Sequence, residues 1–300
     1  MTDLNAQPMK MSKLLSDRAG ELWFHSTGER MKRILHATDF GPQSAPAFAH
    51  ALRITLDARA KLYLLHVAEP TDGAHWSEFP HVREVLGRWG LIDPGKPPQA
   101  IETELGIHVT KVSVHAKDAR HAIAEFAVEH ECDLLVVWTH DRQGASNWLY
   151  NRSVAGEIAR RAGVQTLFLP GAAAGFVDAA TGRADLECVL IPVDGELDCA
   201  DALEQIANTL RIIAPGVPLL FLHVGESPPY LPHGIGRGGH QVLLRQGAIT
   251  PTIVSVAREI GAGLIAMPTA GRHGLFDALR GSTTEQVLRE SGLPVLAAPI

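Results

Sequence analysis

From Met31 onward the chain alternates short, nearly continuous apolar runs with amphipathic stretches, and the apolar runs come in matched pairs. RILHATDFG at Arg33–Gly41 matches CVLIPVDGE at Cys188–Glu196, and LYLLHVAEP at Leu62–Pro70 matches LLFLHVGES at Leu219–Ser227. CDLLVVWTHD at Cys132–Asp141 matches AGLIAMPTAG at Ala262–Gly271, and AGVQTLFLP at Ala162–Pro170 matches SGLPVLAAP at Ser291–Pro299. Runs of this length suit strands buried on both faces of a parallel sheet. Between them lie helical patterns at Ala45–Leu56, Asp118–His130 and Ser153–Ala162, repeated at Cys199–Ile213, Thr250–Ile260 and Thr283–Ser291. This alternation predicts an α/β fold in which a doubly wound parallel-sheet domain occurs twice in tandem.

The register between the repeats locates a deletion. Asp39 pairs with Asp194 at an offset of 155 and His66 with His223 at 157, but Asp141 pairs with Gly271 at only 130. About 27 residues are therefore missing from the second repeat between its second and fourth strands. In the first repeat that region holds the helix-capable stretch His81–Leu105, broken at DPGKPP. In the second it reads GESPPYLPHGIGRGG, whose prolines and glycines predict a loop. The second domain thus lacks the helix between its second and third strands. Part of one sheet face then needs cover from the loop, the N-terminal arm or another subunit. The expected domains are 31–170 and 186–300, joined by a small-residue linker, GAAAGFVDAATGRAD at 171–185. Residues 1–30 read as an extension with one short amphipathic stretch and no secretory-signal pattern.

Composition narrows the function classes. A net charge of −6 and a pI near 6.2 give no electrostatic reason to expect nucleic-acid binding. The apolar runs are strand-sized, so no transmembrane helix is expected. Three cysteines, Cys132, Cys188 and Cys199, form neither a disulfide framework nor a zinc pattern, and a reducing cytoplasm is the expected compartment. The 15 histidines include none at zinc-ligand spacing with Cys or Glu; His66 and His223 sit between apolar residues and read as core or strand-end groups. Walker, Gly-x-Ser-x-Gly and Ser-x-x-Lys patterns are absent.

The segment GRHGLFDALRGSTTEQ, from Gly271 to Gln286, is where chemistry is expected. A glycine-bearing loop that feeds a helix start can cradle an anion, because the first-turn N–H groups have no intrahelical partner and the dipole adds positive charge. Ser282 and Glu285 also have capping-box spacing, which would start this helix without a ligand. Both roles are compatible, since one serine oxygen can accept as a cap and still donate its own proton. The dipole supplies only about 0.3–1 kcal/mol, so micromolar affinity, roughly −8 kcal/mol, needs further contacts to a base and phosphates. Asp39 and Asp194 close the first strands of their repeats, beside the crevice where such sheets bind ligands, and each could instead serve its own turn.

The Asp-terminated first strand, the second strand ending in Leu-His-Val, and the final Gly-x9-Gly-Ser helix start together resemble the universal stress protein family. The resemblance covers Arg33–Pro170 and Cys188–Ile300. It implies two five-stranded parallel sheets with helices on both faces, joined as an intramolecular pseudo-dimer through their last strands, with a homodimer as a further expectation. It also implies possible binding of ATP or a related adenine nucleotide, with Mg²⁺ accompanying it. By the family's pattern the second repeat would bind through Val193, Asp194, Val224, Met267, Gly271, Gly274, Gly281, Ser282, Thr283 and Thr284. Pro268 stands where the motif has its leading glycine and brings no N–H. The first repeat carries Trp138, Asp141, Asn151 and Arg152 at the motif positions, with only Asp39, Val67 and Ser153 matching. Its site is expected to be closed, by Trp138 crowding the loop and by Asp141 repelling phosphate or pairing with Arg152. The resemblance implies a stress-response regulator with no catalytic residues; a nucleotide-free interaction protein and a slow ATPase are the alternatives.

Overall fold

The computed structural model describes residues 31–41, 44–71, 76–139, 161–171, 175–194, 199–227, 229, 242–269 and 283–300. Both series of apolar runs become strands. In the first repeat these are β1 (Arg33–Ala37), β2 (Lys61–Ala68), β3 (His108–His115), β4 (Leu134–Thr139) and β5 (Gln165–Pro170). In the second they are β6 (Val189–Pro192), β7 (Leu219–Val224), β8 (Val242–Arg245), β9 (Leu264–Thr269) and β10 (Val295–Pro299). Every residue of β4 and β5 is buried, as strands covered on both faces require.

The ten strands form one sheet in the order β3-β2-β1-β4-β5-β10-β9-β6-β7-β8. Each half is parallel with the same internal order, and the halves meet through the antiparallel pair β5–β10, where Phe168 lies opposite Val295 and Leu167 opposite Leu296. The sheet is therefore a fused pair of five-stranded units with opposed strand directions. It is an α/β architecture in tandem, and the last strands form the seam.

Helices α1 (Ala45–Ala58), α2 (Val82–Arg88) and α3 (Ala100–Leu105) pack on one face of the first half, and α5 (Ala200–Ile213) on the same face of the second. On the other face lie α4 (Ala119–Glu129), α6 (Ile249–Glu259) and α7 (Thr283–Ser291). Asp118 starts α4 by accepting from the N–H groups of Arg120 and His121. Across the seam α1 meets α5, and Thr209 of α5 donates to the Gln165 amide oxygen of β5.

The deletion lies between the second and third strands. His66 pairs with Ser113 and His223 with Leu244, so the offset between repeats falls from 157 to 131 across that single connection. Among the described residues no helix lies between β7 and β8. The consequence shows in burial: β2 is mostly buried, whereas four of the six residues of β7 and all four of β8 are half-buried.

The linker is more than a spacer in its described part. Phe176 and Val177 are buried in the core beside α1, and both of their N–H groups donate to Nε2 of His50 at 3.0 Å. Nε2 must therefore be unprotonated, so Nδ1 carries the proton and donates to the Pro46 carbonyl at 2.7 Å. Burial pushes the His50 pKa down to about 4, which keeps the ring neutral in this role. Trp89, just after α2, donates from Nε1 to the Ala179 carbonyl at 3.1 Å. Gly182 closes over this indole at φ +70°, where a Cβ would fall 2.3 Å from the ring.

Candidate functional site

Parallel strands bring their carboxyl ends together, and with them the crevice of each repeat. In the second repeat, Val193 and Asp194 follow β6, Val224 ends β7, and Met267 lies near the end of β9. Val193 and Met267 are buried, Val224 is half-buried and Asp194 is exposed. Thr283 and Thr284 open α7 and are half-buried. Pro268 lies within β9 opposite Ala298 of β10. Gly271, Gly274, Gly281 and Ser282 lie outside the described residues, and so do Asp141, Asn151, Arg152 and Ser153 of the first repeat.

Local wiring is the same in both halves. His66 Nδ1 bonds the Thr38 carbonyl and His223 Nδ1 the Val193 carbonyl, both at 2.9 Å, so each imidazole bridges the carboxyl ends of its first two strands. The main-chain N–H groups of Thr38 and Val193 reach equivalent carbonyls of the second strand, Leu65 and Leu222. Thr139 and Thr269 each donate to a carbonyl of the last strand, Leu169 and Ala298.

The side chains over that wiring differ. In the first repeat Phe40 stacks on His66 with ring centroids 3.9 Å apart and planes at 24°. Phe40 also meets the fully buried Phe79 edge-on at 4.8 Å, and Trp76 stacks on Phe79 at 5.6 Å. Lys111 of β3 holds its ammonium 5.7 Å from the Phe79 ring centre, and burial lowers its pKa from the usual lysine value. Phe40 takes φ +65°, a left-handed conformation uncommon for a bulky residue. The turn around it is held by Thr38 Oγ1, which accepts from the Phe40 N–H, and by Asp39, which accepts from the Gly41 N–H at 2.8 Å. Asp39 thus serves its own turn.

Sequence reasoning assigned closure of this crevice to Trp138, Asp141 and Arg152. The indole of Trp138 is buried in the core on the α1 face, and a Cβ on Gly171 would fall 2.9 Å from it. Phe40 and Phe79 pack beside His66 at the carboxyl ends of β1 and β2, a contact that sequence reasoning missed, while Asp141 and Arg152 lie outside the described residues. The repeat register held a signal for Phe40, which follows Asp39, whereas Gly195 follows Asp194. Phe79 and Trp76 come from the connection that the second repeat has lost.

No group of three or more His, Cys, Asp or Glu side chains suited to a metal occurs among the described residues. No described helix is long and apolar enough to cross a membrane.

The model of the universal stress protein family matches residues 31–170 and 233–299, most of the chain. This chain belongs to the universal stress protein family. Solved structures agree in fold. A universal stress protein from Archaeoglobus fulgidus DSM 4304 is 20% identical with TM-score 0.58, covering 90% of this chain and 99% of that one. A protein of unknown function from Pseudomonas aeruginosa PAO1 is 17% identical with TM-score 0.58, covering 90% of this chain and 92% of that one. The likeness therefore spans both universal stress protein repeats. A comparison with curated proteins finds no match.

Proposed function

We propose that this universal stress protein binds an adenine nucleotide, ATP with Mg²⁺ or a relative, in its second repeat only, and acts in the cytoplasm as a stress-response regulator. The observation that carries the reading is the asymmetry of the two crevices. In the first, Phe40 and Phe79 pack beside His66 at the strand ends, whereas the second has Val193, Asp194, Val224 and Met267 at the strand ends, with Thr283 and Thr284 at the start of α7. In this reading the α7 start and the preceding Gly281–Ser282 hold the phosphates by N–H and hydroxyl donation. Occupancy is transmitted to the β5–β10 seam, because β9 leads into the loop and pairs with β10. Cys132 and Cys188 are buried, and burial pushes Cys132 up to about 12 and Cys188 up to about 11, so neither offers a reactive thiolate.

Pro268 favours a second reading, a nucleotide-free interaction protein, since the motif's leading position has no N–H to offer. Heat release separates the two. Protein purified without added ligand, then denatured by heat, should release adenine nucleotide in near-stoichiometric amount, and Gly281→Trp should abolish the release while leaving the melting transition in place. Neither released nor titratable nucleotide in the wild-type chain supports the second reading. Phosphate production that follows protein concentration and disappears in Gly281→Trp would instead show ATP turnover.

A further inference from the structure

We propose that the linker segment Phe176–Asp185 is an acid-released strap and that His50 is its latch: a proton arriving at Nε2 turns the atom that holds the strap into one that repels it. The proposal goes beyond nucleotide binding and does not depend on it.

The strap is a small hairpin. Val177 and Ala184 form an antiparallel bridge, the Asp178 N–H donates to the Arg183 carbonyl, and the Asp185 N–H donates to the Phe176 carbonyl. Asp178 Oδ1 closes the turn by accepting from the N–H groups of Ala180 and Thr181. These bonds are internal, so the segment can leave and return as a unit. Three side chains of the first repeat tie it down. His50 Nε2 accepts from the Phe176 and Val177 N–H groups at 3.0 Å, Trp89 Nε1 donates to the Ala179 carbonyl at 3.1 Å, and Arg53 donates to the Gly182 carbonyl at 3.4 Å. The β5–β10 seam uses none of these bonds, so the two repeats stay joined when the strap opens.

Of the three ties only that of His50 answers to a proton near neutrality, because an indole and a guanidinium keep theirs. Nδ1 donates to the Pro46 carbonyl at 2.7 Å, which leaves the Nε2 lone pair to accept both N–H groups. Protonated Nε2 would be a donor facing two donors inside a buried site. The strap also encloses the ring. Phe176 stands edge-on to it at 4.5 Å, and Gly175, at φ +71°, lies so close that a Cβ would fall 2.4 Å from Nε2. The ring therefore cannot turn away without moving the strap.

The charged groups on the surrounding elements are engaged elsewhere or exposed. On α1, Arg53 pairs with Asp57; on the strap, Asp178 serves its own turn, and Arg183 and Asp185 are exposed. Arg88 beside Trp89 is exposed, as are Asp201 and Arg211 of α5, whose Glu204 is half-buried. His36 of β1 lies against Phe48 of α1, with ring centroids 6.2 Å apart. Burial lowers the His50 pKa to about 4 from 6.5, so the open strap takes up the proton first. Opening is then favoured about tenfold for each pH unit between 6.5 and 4 and levels off below. It bares Phe176, Val177 and Trp89, which are buried when the strap is closed.

The test is amide hydrogen exchange of the full chain, read by NMR from pH 7 to pH 4 and corrected for the intrinsic pH dependence of exchange. Protection of the Phe176 and Val177 amides and of the Trp89 indole N–H is expected to fall together, about tenfold per pH unit, while the amides of α5 stay protected. Ring ¹⁵N shifts at pH 7 are expected to show His50 with its proton on Nδ1 and Nε2 bare. His50→Gln, which supplies an oxygen that takes up no proton in this range, is expected to remove the pH dependence from the strap. His36→Ile is expected to leave it in place. Should the glutamine variant not fold, Gly175→Ala pushes a Cβ into the ring and is expected to lower strap protection at pH 7 at least tenfold. The proposal is overturned if His50 carries its proton on Nε2 at pH 7, or if His50→Gln keeps the full pH dependence. It is also overturned if the strap and α5 lose protection together, since acid would then unfold the first repeat and its neighbour rather than release the strap.

Discussion

The two crevices of this chain share their hydrogen bonds and differ in their contents. Each has a first strand whose terminal carbonyl is held by a histidine of the second strand, and each has a threonine tying the fourth strand to the fifth. Over this common frame the first repeat lays Phe40, Phe79 and Trp76, while the second has a glycine in register and a shortened connection. The difference teaches that one backbone frame accommodates two different sets of side chains. Main-chain carbonyls and two side chains fix it, and what fills it is decided by residues that can change without disturbing the strands. Interiors pack densely, so a crevice of this kind is closed by the chain itself or left as a binding surface.

The sharpest way to break this comparison is to empty the first crevice. Phe79 is fully buried, with Phe40 edge-on to it and Trp76 stacked on it. Phe79→Ala should cost about 3–5 kcal/mol of stability, the range for a large aromatic truncated inside a core. Denaturant titration of the two proteins measures it. A loss under about 1 kcal/mol would mean that the ring is only a lid on the frame rather than part of the first repeat's core.

Acid should expose the next difference. His36 and His50 are buried in the first repeat, and burial pushes both down to about 4 from 6.5. In register, the second repeat has Ile191 and Gln205 instead. A folded-state pKa below the unfolded value means that the unfolded chain binds protons first. Stability is then complete above about pH 6.5 and is lost as pH falls towards 4, by on the order of 3 kcal/mol for each ring. His36 donates from Nδ1 to the Val136 carbonyl, and its Nε2 finds no hydrogen-bond partner. His36→Ile, the residue of the second repeat, should therefore flatten the fall in denaturation midpoint between pH 6.5 and 4 by roughly one ring's share. An unchanged slope would show that His36 already carries its proton inside the fold.

Much of this fold was legible because its signals are local. The paired apolar runs marked eight of the ten strands, and the helical patterns agree with α1, α4, α5, α6 and α7 to within about two residues at each end. The third strand of each half was not marked, for a physical reason. β3 and β8 are sheet edges whose residues are mostly half-buried, so neither shows the apolar continuity of a strand covered on both faces. The deletion could be counted from the register and placed between the second and third strands, and strand pairing refined the count to 26 residues. At the candidate site, the Asp-ended strands and Leu-His-Val ends were legible as motifs. The stack of Phe40 on His66 was not, because it joins residues from separate segments and depends on a left-handed turn that no periodicity announces. The docked linker was hidden for a related reason: its glycines and alanines read as freedom, whereas Gly182 is the residue that allows the chain to close over Trp89.

The smallest effect tests whether that linker belongs to the first repeat or merely passes over it. Trp89→Phe keeps a ring beneath Gly182 while removing the Nε1–H that bonds the Ala179 carbonyl and part of the indole's buried bulk. One neutral hydrogen bond contributes about 0.5–1.5 kcal/mol, so the variant should remain folded and lose at least about that much. The informative readout is local. Trypsin cleavage after Arg183, an exposed residue on the docked segment, should accelerate by up to roughly tenfold if the bond holds the linker closed against opening, since about 1.4 kcal/mol is a factor of ten in the open population. Acceleration at Arg183 alone would assign the linker a stability of its own. Equal acceleration at Arg183 and at Arg53 within α1 would mean that linker and helix open together, and the first repeat would then differ from the second by a third covering element as well as by its rings.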